Sequence, residues 1–231
     1  MINRYELVNR HNPVLTDVQI KSPLSVGNGE FAFTADITGL QSFPEDYQSE
    51  IPICTMAQWG WHSFGCEDKG FNRDNLEHEF YKNREREIPY ASSDKGQKEL
   101  FDYLRQNPHK FHLGQIGLNM IHSSGDRVGI NDIKNINQKL DIWQGIIISK
   151  FTVEGVKVKV KTICHPDRDL LAFSIKSELI VEKRLHIDIK FPYAAVDKTS
   201  ADWNSADKHK TILKQSKDGY NDFLRIMDKE K

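Results

Sequence analysis

The sequence predicts a mainly β protein, an antiparallel two-sheet β-sandwich with a short helix in a long insertion. Three observations lead to this prediction: apolar and polar residues alternate in several runs, short turn signals separate successive runs, and a charged stretch interrupts the pattern over residues 69–107. Alternation with a period of two residues is typical of a strand that buries one face. The chain has 231 residues, of which 38% are hydrophobic. It can therefore enclose a substantial core, and we expect a single domain over residues 1–231.

Two runs before residue 123 have the alternation of half-buried strands. In "GEFAFTADITG" the apolar face would hold Phe31, Phe33, Ala35 and Ile37. The run "QIGLNMIH" repeats the pattern with Ile116, Leu118 and Met120. Gly27-Asn28-Gly29 precedes the first run, and because glycine and asparagine tolerate the backbone angles of tight turns, we expect a hairpin turn there.

The strongest local signal is a β-hairpin centred on Glu154-Gly155. Its second β-rich run alternates valines with lysines, which are Val156, Val158 and Val160 against Lys157, Lys159 and Lys161. Two further runs follow, "LLAFSIKS" and "RLHIDIKFPYA", and the apolar face of the second would hold Leu185, Ile187, Ile189 and Phe191. Four successive strands joined by short turns predict one antiparallel sheet with one solvent-facing side.

Residues 69–107 are charged and polar, and we interpret them as an excursion from the sheet with a solvated surface. Within it, residues 94–106 have helical spacing, with Ser92 or Ser93 as the cap and Asn107-Pro108 as the stop. Residues 196–231 are weakly patterned, with one or two strands indicated in "HKTILKQS" and "YNDFLRIMD". Because these strands lack evident partners, we expect a truncated terminal segment.

The composition excludes several classes of function. The formal net charge is −1, with 32 basic and 33 acidic residues, so we expect no surface that attracts nucleic acid or an anionic membrane. No apolar run approaches the length of a membrane span, and the N-terminus lacks the apolar core of a signal peptide. Motifs for nucleotide binding and for zinc-dependent or serine-dependent hydrolysis are missing.

We expect neither a cofactor nor a metal. His109 and His112 in "HKFH" have a spacing that could seat a metal on a helix, but no third ligand is near in sequence. The three cysteines, Cys54, Cys66 and Cys164, form no CxxC pair. Cys54 and Cys164 have no adjacent activating base, and we interpret them as small buried side chains.

The uncharged segment "TMAQWGWHSF", Thr55 to Phe64, combines two tryptophans with a histidine and a phenylalanine. In a strand, Trp59 and Trp61 would share one face and His62 would lie on the other. Core packing and contact with a ligand both remain open, because buried indole and imidazole groups need hydrogen-bond partners, whereas exposed aromatic faces stack on the C–H faces of sugars. Two further residues, Asn28 and Glu30, are weaker candidates for the same surface.

Five stretches occur in this order along the chain: "RHNPVLT", "SPLSVGNGEFAFTADITGLQ", "IPICTMAQWGWHSF", "NPHKFHLGQIGL" and "LDIWQGIIISKFTVEGVKVKVKTICHPDRDLLAFSIKS". Together they resemble the N-terminal region of bacterial glycoside-hydrolase-like proteins of the six-hairpin glycosidase superfamily, related to glycoside hydrolase families 65 and 95. The resemblance covers most of residues 4–195, and Asn28-Gly29 matches a turn that recurs in that region. It implies a large, supersandwich-like antiparallel β-sandwich that precedes a catalytic (α/α)6 barrel. Nothing in this chain corresponds to the barrel, on which the relatives carry their general acid.

The resemblance implies a non-catalytic N-terminal domain of a carbohydrate-active protein. Trp59, Trp61 and His62 would shape a sugar site or the interface with the absent barrel, with Asn28 and Glu30 on the same surface. Its partners would be a carbohydrate and that barrel. Without the barrel, exposed apolar surface would favour a homodimer. The resemblance also suggests a periplasmic or secreted protein.

Two other functions and a purely structural role remain open. A self-sufficient carbohydrate-binding module would use the tryptophans as its platform. A small sugar-modifying enzyme on a β-sandwich, such as an epimerase, would need a histidine and a carboxylate in a cleft. Glycoside hydrolysis usually needs two carboxyl groups across the scissile bond. No spacing singles out a pair, so no catalytic residue is predicted among Glu30, Asp36, Glu45, Asp46 and Glu50.

Overall fold

The computed structural model describes residues 2–65 and 69–228, and within these ranges antiparallel strands predominate. Three short helices occur in them, α1 (Arg4–Asn9), α2 (Pro44–Tyr47) and α3 (Lys98–Gln106). The strands are β1 (Val14–Leu15), β2 (Leu24–Gly27), β3 (Phe31–Ala35), β4 (Thr55–Ala57), β5 (Trp61–His62), β6 (Glu79–Asn83), β7 (Arg86–Tyr90), β8 (His109–Lys110), β9 (Gln115–Met120), β10 (Lys134–Asp141), β11 (Ile146–Val153), β12 (Val156–Cys164), β13 (Leu171–Ser177), β14 (Leu185–Lys190), β15 (Lys210–Lys217) and β16 (Tyr220–Ile226). The predicted mainly β fold class is confirmed. None of the described helices is long and apolar enough to cross a membrane.

A five-stranded antiparallel sheet is the largest in the fold, with the strand order β1-β10-β11-β12-β13. The predicted hairpin is confirmed at its centre, where β11 and β12 pair without a break up to Val153↔Val156. Glu154 and Gly155 form the turn with φ angles of 48° and 82°, and two positive φ angles suit the twist of a tight hairpin. The valines of β12 face the core more than its lysines, which lie in solvent.

The fourth strand of the predicted sheet, β14, lies in a different sheet, so this part of the prediction is wrong. Instead of continuing beside β13, it pairs with β9. A 3₁₀ turn at Glu178–Ile180 carries the chain across, anchored by Leu179, which is completely buried. Ile187 and Ile189 remain 44% and 49% exposed, because β14 pairs with β9 in a two-stranded sheet and its other edge is open within the described ranges.

The core lies between the five-stranded sheet and two smaller ones. One apolar cluster joins that sheet to β9 and β14, and includes Phe151, Leu118 and Leu185. A second cluster joins it to the three-stranded sheet β2-β3-β4 through residues such as Ile147 and Phe33. Sheets that share an apolar core in this way are consistent with the predicted β-sandwich.

A buried loop, residues 36–43, follows β3 and is organised by the carboxylate of Asp36. Asp36 is inaccessible to solvent. It accepts hydrogen bonds from the backbone N–H groups of Thr38 (2.8 Å), Ser42 (2.5 Å) and Phe43 (2.8 Å), and from the Thr38 hydroxyl (2.5 Å). Buried main-chain groups need such partners where neither a strand nor water supplies them. The loop docks on β9, where the Gln41 N–H donates to the Ile116 carbonyl at 2.9 Å.

We expect the free energy of unfolding to decrease as the pH rises from about 4 to about 6. Burial raises the pKa of Asp36 from 3.8 to about 6, although hydrogen bonds from Thr38, Phe43 and Ser42 oppose the shift. Between these values the folded chain retains a proton that the unfolded chain has released, so stability is lost as the pH rises through this window. The contribution is about 3 kcal/mol, since one pKa unit corresponds to about 1.4 kcal/mol.

Urea unfolding at several pH values measures this dependence, and the carbon-13 NMR signal of the Asp36 carboxyl locates the titration. A titration midpoint near the ordinary aspartate pKa of about 3.9 would contradict the expectation. So would a stability that rises through the window.

The charged insertion at 69–107 contains more structure than the sequence predicts. α3 begins at Lys98 rather than at residue 94, and it ends directly before Asn107-Pro108 as predicted. Ser92 and Ser93 do not cap it, because their hydroxyls donate to the Glu79 carboxylate at 2.9 and 2.5 Å. A hairpin of β6 and β7 precedes α3. It is not predicted from the sequence because neither strand alternates buried and exposed positions.

The two weak C-terminal strands are present as the hairpin of β15 and β16, which turns at Asp218 and Gly219. Arg225 of β16 ties this hairpin to the rest of the chain. Its guanidinium donates to the Leu113 carbonyl at 2.8 Å and lies 4.9 Å from the centre of the Phe191 ring. Burial lowers the pKa of Arg225 to about 10, but the group stays charged at neutral pH.

Candidate functional site

The uncharged segment Thr55–Phe64 runs from β4 through a turn into β5. Trp59 and Trp61 are 62% and 57% exposed, whereas His62 is only 7% exposed. The predicted opposition between the tryptophans and the histidine is therefore present. Of the two alternatives for this segment, packing in the core is wrong for Trp59 and Trp61, because their side chains lie largely in solvent.

Backbone contacts with the following strand hold this segment in place. β5 pairs with β8, with Trp61 opposite Lys110. The Gly60 carbonyl accepts a hydrogen bond from the Phe111 N–H at 3.0 Å. A Cβ at position 60 would lie 2.9 Å from Leu113 Cδ2. Glycine at this position thus lets the Leu113 side chain pack closely against the backbone of the segment.

The turn between β12 and β13, residues 165–169, is bonded to the tryptophan segment. The indole N–H of Trp59 donates to the carboxylate of Asp169. The side-chain amide of Asn28 donates to the carbonyl groups of His165 (3.4 Å) and Arg168 (3.1 Å). These contacts bring the β2–β3, β4–β5 and β12–β13 connections to the same end of the fold.

Asn28 positions its own turn as well. Its side-chain oxygen accepts from the backbone N–H groups of Glu30 (3.0 Å) and Phe31 (2.8 Å). Gly29 between them has a φ of 95°, a left-handed conformation that favours glycine. Because both ends of the Asn28 amide are engaged, we assign it a positioning role in the site.

A groove of about 380 Å³ lies at this end of the β2-β3-β4 sheet. Its polar lining residues are Ser25, Glu30, Gln58 and Lys110, and Met56 lies among the apolar ones. We call it the Glu30 groove. Trp59 follows Gln58 in the chain and Trp61 pairs with Lys110, so each tryptophan is a neighbour of a lining residue, although neither indole is part of the lining. The structure therefore places Glu30, Trp59 and Trp61 in one region of the fold and directs His62 elsewhere.

His62 points away from the groove into a small aromatic and polar cluster. Its Nε2 lies 2.6 Å from the carboxylate of Asp228, which also accepts from the Tyr193 hydroxyl at 2.9 Å. The rings of Phe64 and Tyr193 contact His62 edge-on, with centroids 4.7 and 5.7 Å away. Burial and the Asp228 carboxylate raise the pKa of Tyr193 to about 12. These contacts give His62 a structural role that anchors β5 to the end of the described chain.

A second depression, of about 670 Å³, lies beside Trp203, and we call it the Trp203 cleft. Its walls come from three separated parts of the chain: residues 44–54, His112 with Gln115, and residues 190–204. It shares no lining residue with the Glu30 groove. The half-buried Trp203 ring meets the His112 ring edge-on, with centroids 5.4 Å apart. Its ionisable wall residues include Glu45, Lys190, Asp197 and Asp202.

The Trp203 cleft is not predicted from the sequence. Its residues are dispersed over more than half of the chain, and no spacing relates them. The sole local signal is the position of Trp203 among turn-forming residues in "SADWNS", which is common in loops of many functions.

The histidine and cysteine candidates form no metal site in the described ranges. No three His, Cys, Asp or Glu side chains of these ranges are grouped so that they could hold an ion. His109 Nδ1 lies 2.9 Å from the Gln106 carbonyl. Cys54 and Cys164 are free thiols, half-buried and buried respectively. Burial raises the pKa of Cys54 to about 11, which leaves it a weak nucleophile at neutral pH. Cys66 lies outside the described residues.

Comparison of the chain with protein-family models, with curated proteins and with solved structures finds no match to any of them.

Proposed function

We propose that this chain is a non-catalytic, β-rich domain of a carbohydrate-active protein, in which Trp59 and Trp61 contribute to a saccharide site. The observation that carries the proposal is the exposure of both indoles, 62% and 57%, on one uncharged segment beside a groove. Large aromatic side chains held in solvent are a marker of binding surfaces. Their flat faces suit the C–H faces of sugar rings.

The lining of the Glu30 groove is mainly apolar, and its few polar groups can serve the hydroxyls at the edge of a sugar ring. Glu30 supplies carboxylate acceptors and Lys110 supplies ammonium donors on the same lining. A hydroxyl both donates and accepts hydrogen bonds, so it can use both kinds of partner. The near-neutral charge of the chain, −1, also favours an uncharged ligand over a polyanion.

The proposal also takes up the resemblance that the sequence stretches suggest over most of residues 4–195, a membership of the six-hairpin glycosidases that we propose and that none of the comparisons supports. On this proposal the tryptophan segment either completes a sugar site formed with a helical catalytic barrel or packs on that barrel. The exposed apolar residues of the isolated chain would then favour a homodimer. A self-sufficient carbohydrate-binding module is the alternative, and it differs in requiring that the chain bind sugar alone.

A sugar-modifying enzyme is less well supported by the chemistry of the Trp203 cleft. Its histidine, His112, is 1% exposed, and burial lowers its pKa to about 4. General acid–base catalysis is most effective when the pKa of the group lies near the working pH. His112 is neutral at pH 7, and its lowered pKa makes it a weak base.

We expect saturable quenching or enhancement of tryptophan fluorescence when the chain is titrated with its cognate mono- or oligosaccharide. Trp59→Ala or Trp61→Ala should weaken binding about tenfold or more, because each removes one stacking face at the groove. The panel should include neutral hexoses, pentoses and their short oligomers. Circular dichroism verifies that each variant keeps its β-sheet.

Trp143→Ala is the matched control, because Trp143 is 52% exposed and contacts Tyr5 rather than the groove. It should bind like the wild type. Equal loss in all three variants would reject the groove as the site. Absence of binding by the wild-type chain would reject the self-sufficient module and leave the role at a barrel interface.

A further inference from the structure

The Trp203 cleft has the dimensions of a small-molecule site. Its volume of about 670 Å³ lies within the range of roughly 300–1,000 Å³ that ligand pockets usually occupy. One wall carries the half-buried ring of Trp203, and the surrounding residues supply both carboxylates and an ammonium group. Volume alone would not identify a site, so the inference depends on the polar groups that line the cleft.

His112 presents an unused hydrogen-bond donor at the wall of the cleft. Its Nδ1 accepts a hydrogen bond from the Gly114 N–H at 3.1 Å, so Nε2 carries the proton of the neutral ring. Nε2 is buried and has no hydrogen-bond partner among the described residues. The Ile53 carbonyl is close enough to oppose the effect of burial on the pKa, but it makes no hydrogen bond of normal geometry. A ligand oxygen that accepted from Nε2–H would satisfy a donor that burial otherwise leaves unpaired.

The carboxylates of the cleft retain free acceptors. Asp197 uses Oδ1 for the Thr199 N–H (2.9 Å) and the Thr199 hydroxyl (2.7 Å). No hydrogen bond within the described ranges involves its Oδ2 or the Glu45 carboxylate. Asp202 instead holds its own turn through Asn204 and Ser205.

The charge of the lining selects against anions. Glu45, Asp197 and Asp202 carry three negative charges, Lys190 carries one positive charge, and His112 is neutral. A ligand with a phosphate or carboxylate would meet a net negative surface. A ligand that both accepts from His112 and donates to Asp197 needs groups that do both, and hydroxyls are such groups.

We propose that the Trp203 cleft binds a neutral mono- or disaccharide, separately from the Glu30 groove. One C–H face of the sugar packs on Trp203, one hydroxyl oxygen accepts from His112 Nε2, and other hydroxyls donate to Asp197 and Glu45. The inference shares with the proposed function only the class of ligand, since the two depressions have no lining residue in common.

The experiment follows the four indole N–H signals in nitrogen-15 NMR spectra, assigned by single Trp→Phe variants, during titration with glucose, galactose, mannose, xylose, N-acetylglucosamine, glucosamine and maltose. The chain has four tryptophans, so each depression has its own reporter. Trp203 reports on the cleft, Trp59 and Trp61 report on the groove, and Trp143 is the internal control. We expect a saturable shift of the Trp203 signal with at least one neutral sugar and no shift of Trp143.

Two variants test the contacts. Asp197→Asn keeps an oxygen for the Thr199 N–H and removes the charge, and it should weaken binding at the cleft about tenfold. Trp203→Ala should abolish it. If Trp203→Ala does not fold, Asp197→Asn decides, and affinity equal to that of the wild type would overturn the proposal.

The remaining outcomes separate this inference from the proposed function. Shifts confined to Trp59 and Trp61 would overturn the cleft and leave the groove standing. A shift of Trp203 alone would support the cleft and count against the groove. A response of Trp203 to glucosamine but to no neutral sugar would overturn the neutral class in favour of an amine. No shift of any indole with any sugar would overturn the cleft and would reject the groove as a site that binds sugar alone, which leaves only the role at a barrel interface for the tryptophan segment.

Discussion

Replacing Asp36 with alanine is expected to lower the free energy of unfolding by about 4 kcal/mol. Three backbone N–H groups, those of Thr38, Ser42 and Phe43, lose their only side-chain acceptor. Each buried donor left without a partner costs about 1–3 kcal/mol. The loop cannot turn outward to recover water, because Leu40 is completely buried in the main core cluster.

Urea unfolding followed by circular dichroism at pH 7 measures this loss. Asp126→Ala is the matched control, since Asp126 is exposed and its carboxylate accepts from the Ser124 hydroxyl at 2.9 Å. We expect its effect to stay within about 0.5 kcal/mol, as for most surface substitutions. Similar midpoints for the two variants would show that the Asp36 carboxylate does not hold the loop.

Gly117→Ala is expected to destabilise the chain by about 3 kcal/mol, the upper range for overpacking a core. A Cβ at Gly117 would lie 2.5 Å from the Gln41 carbonyl oxygen and 3.0 Å from Ser42 Cα. These are backbone atoms, so no side chain can rotate away to make room. Either β9 or the loop at residues 36–43 must shift, and the shift would break the hydrogen bond from the Gln41 N–H to Ile116.

Thermal unfolding of Gly117→Ala and of Gly129→Ala compares a crowded glycine with an uncrowded one. The nearest atom to a Cβ at Gly129 is Asp132 Oδ2, at 3.4 Å, which is ordinary contact. Gly129→Ala should unfold at nearly the wild-type temperature. A Gly117→Ala variant as stable as the wild type would mean that the loop does not lie against β9 as described.

The strands that the sequence predicts well are those whose burial pattern is complete within one segment. β12 alternates buried and exposed positions over nearly its whole length, and Glu154-Gly155 supplies the turn before it. Period and turn chemistry together determine a hairpin without reference to the rest of the chain. The hairpin of β15 and β16 is only weakly indicated, because neither strand alternates buried and exposed positions.

The alternation of residues within a strand does not determine which other strand it pairs with. β14 alternates as well as its predecessors, yet it joins β9 in another sheet. The pairing of β14 depends on the buried turn around Leu179 and on packing against the core. Both involve residues that are far apart in sequence. Alternation also overestimates burial when a strand lies at the edge of a sheet, as Ile187 and Ile189 demonstrate.

The candidate site is partly predictable for a similar reason. The alternation of Trp59, Trp61 and His62 correctly separates the tryptophans from the histidine, but periodicity does not reveal which side faces solvent. Exposure of the indoles follows from the turn at Gly60 and from the bond of Trp59 to Asp169. The Trp203 cleft is formed by three stretches that are distant in sequence, and no local sequence pattern predicts that they lie together.

The side-chain amide of Asn28 contacts His165 and Arg168, which are 137 and 140 residues away in sequence. The indole of Trp59 contacts Asp169, which is 110 residues away. Loops of this length close at an entropic cost that is met before their contacts contribute any stability. Contacts between such distant residues slow folding and tend to form late. The positions of Asn28 and Trp59 therefore depend on a contact between the two halves of the chain, so both side chains are fixed only in a molecule whose distant segments have already come together.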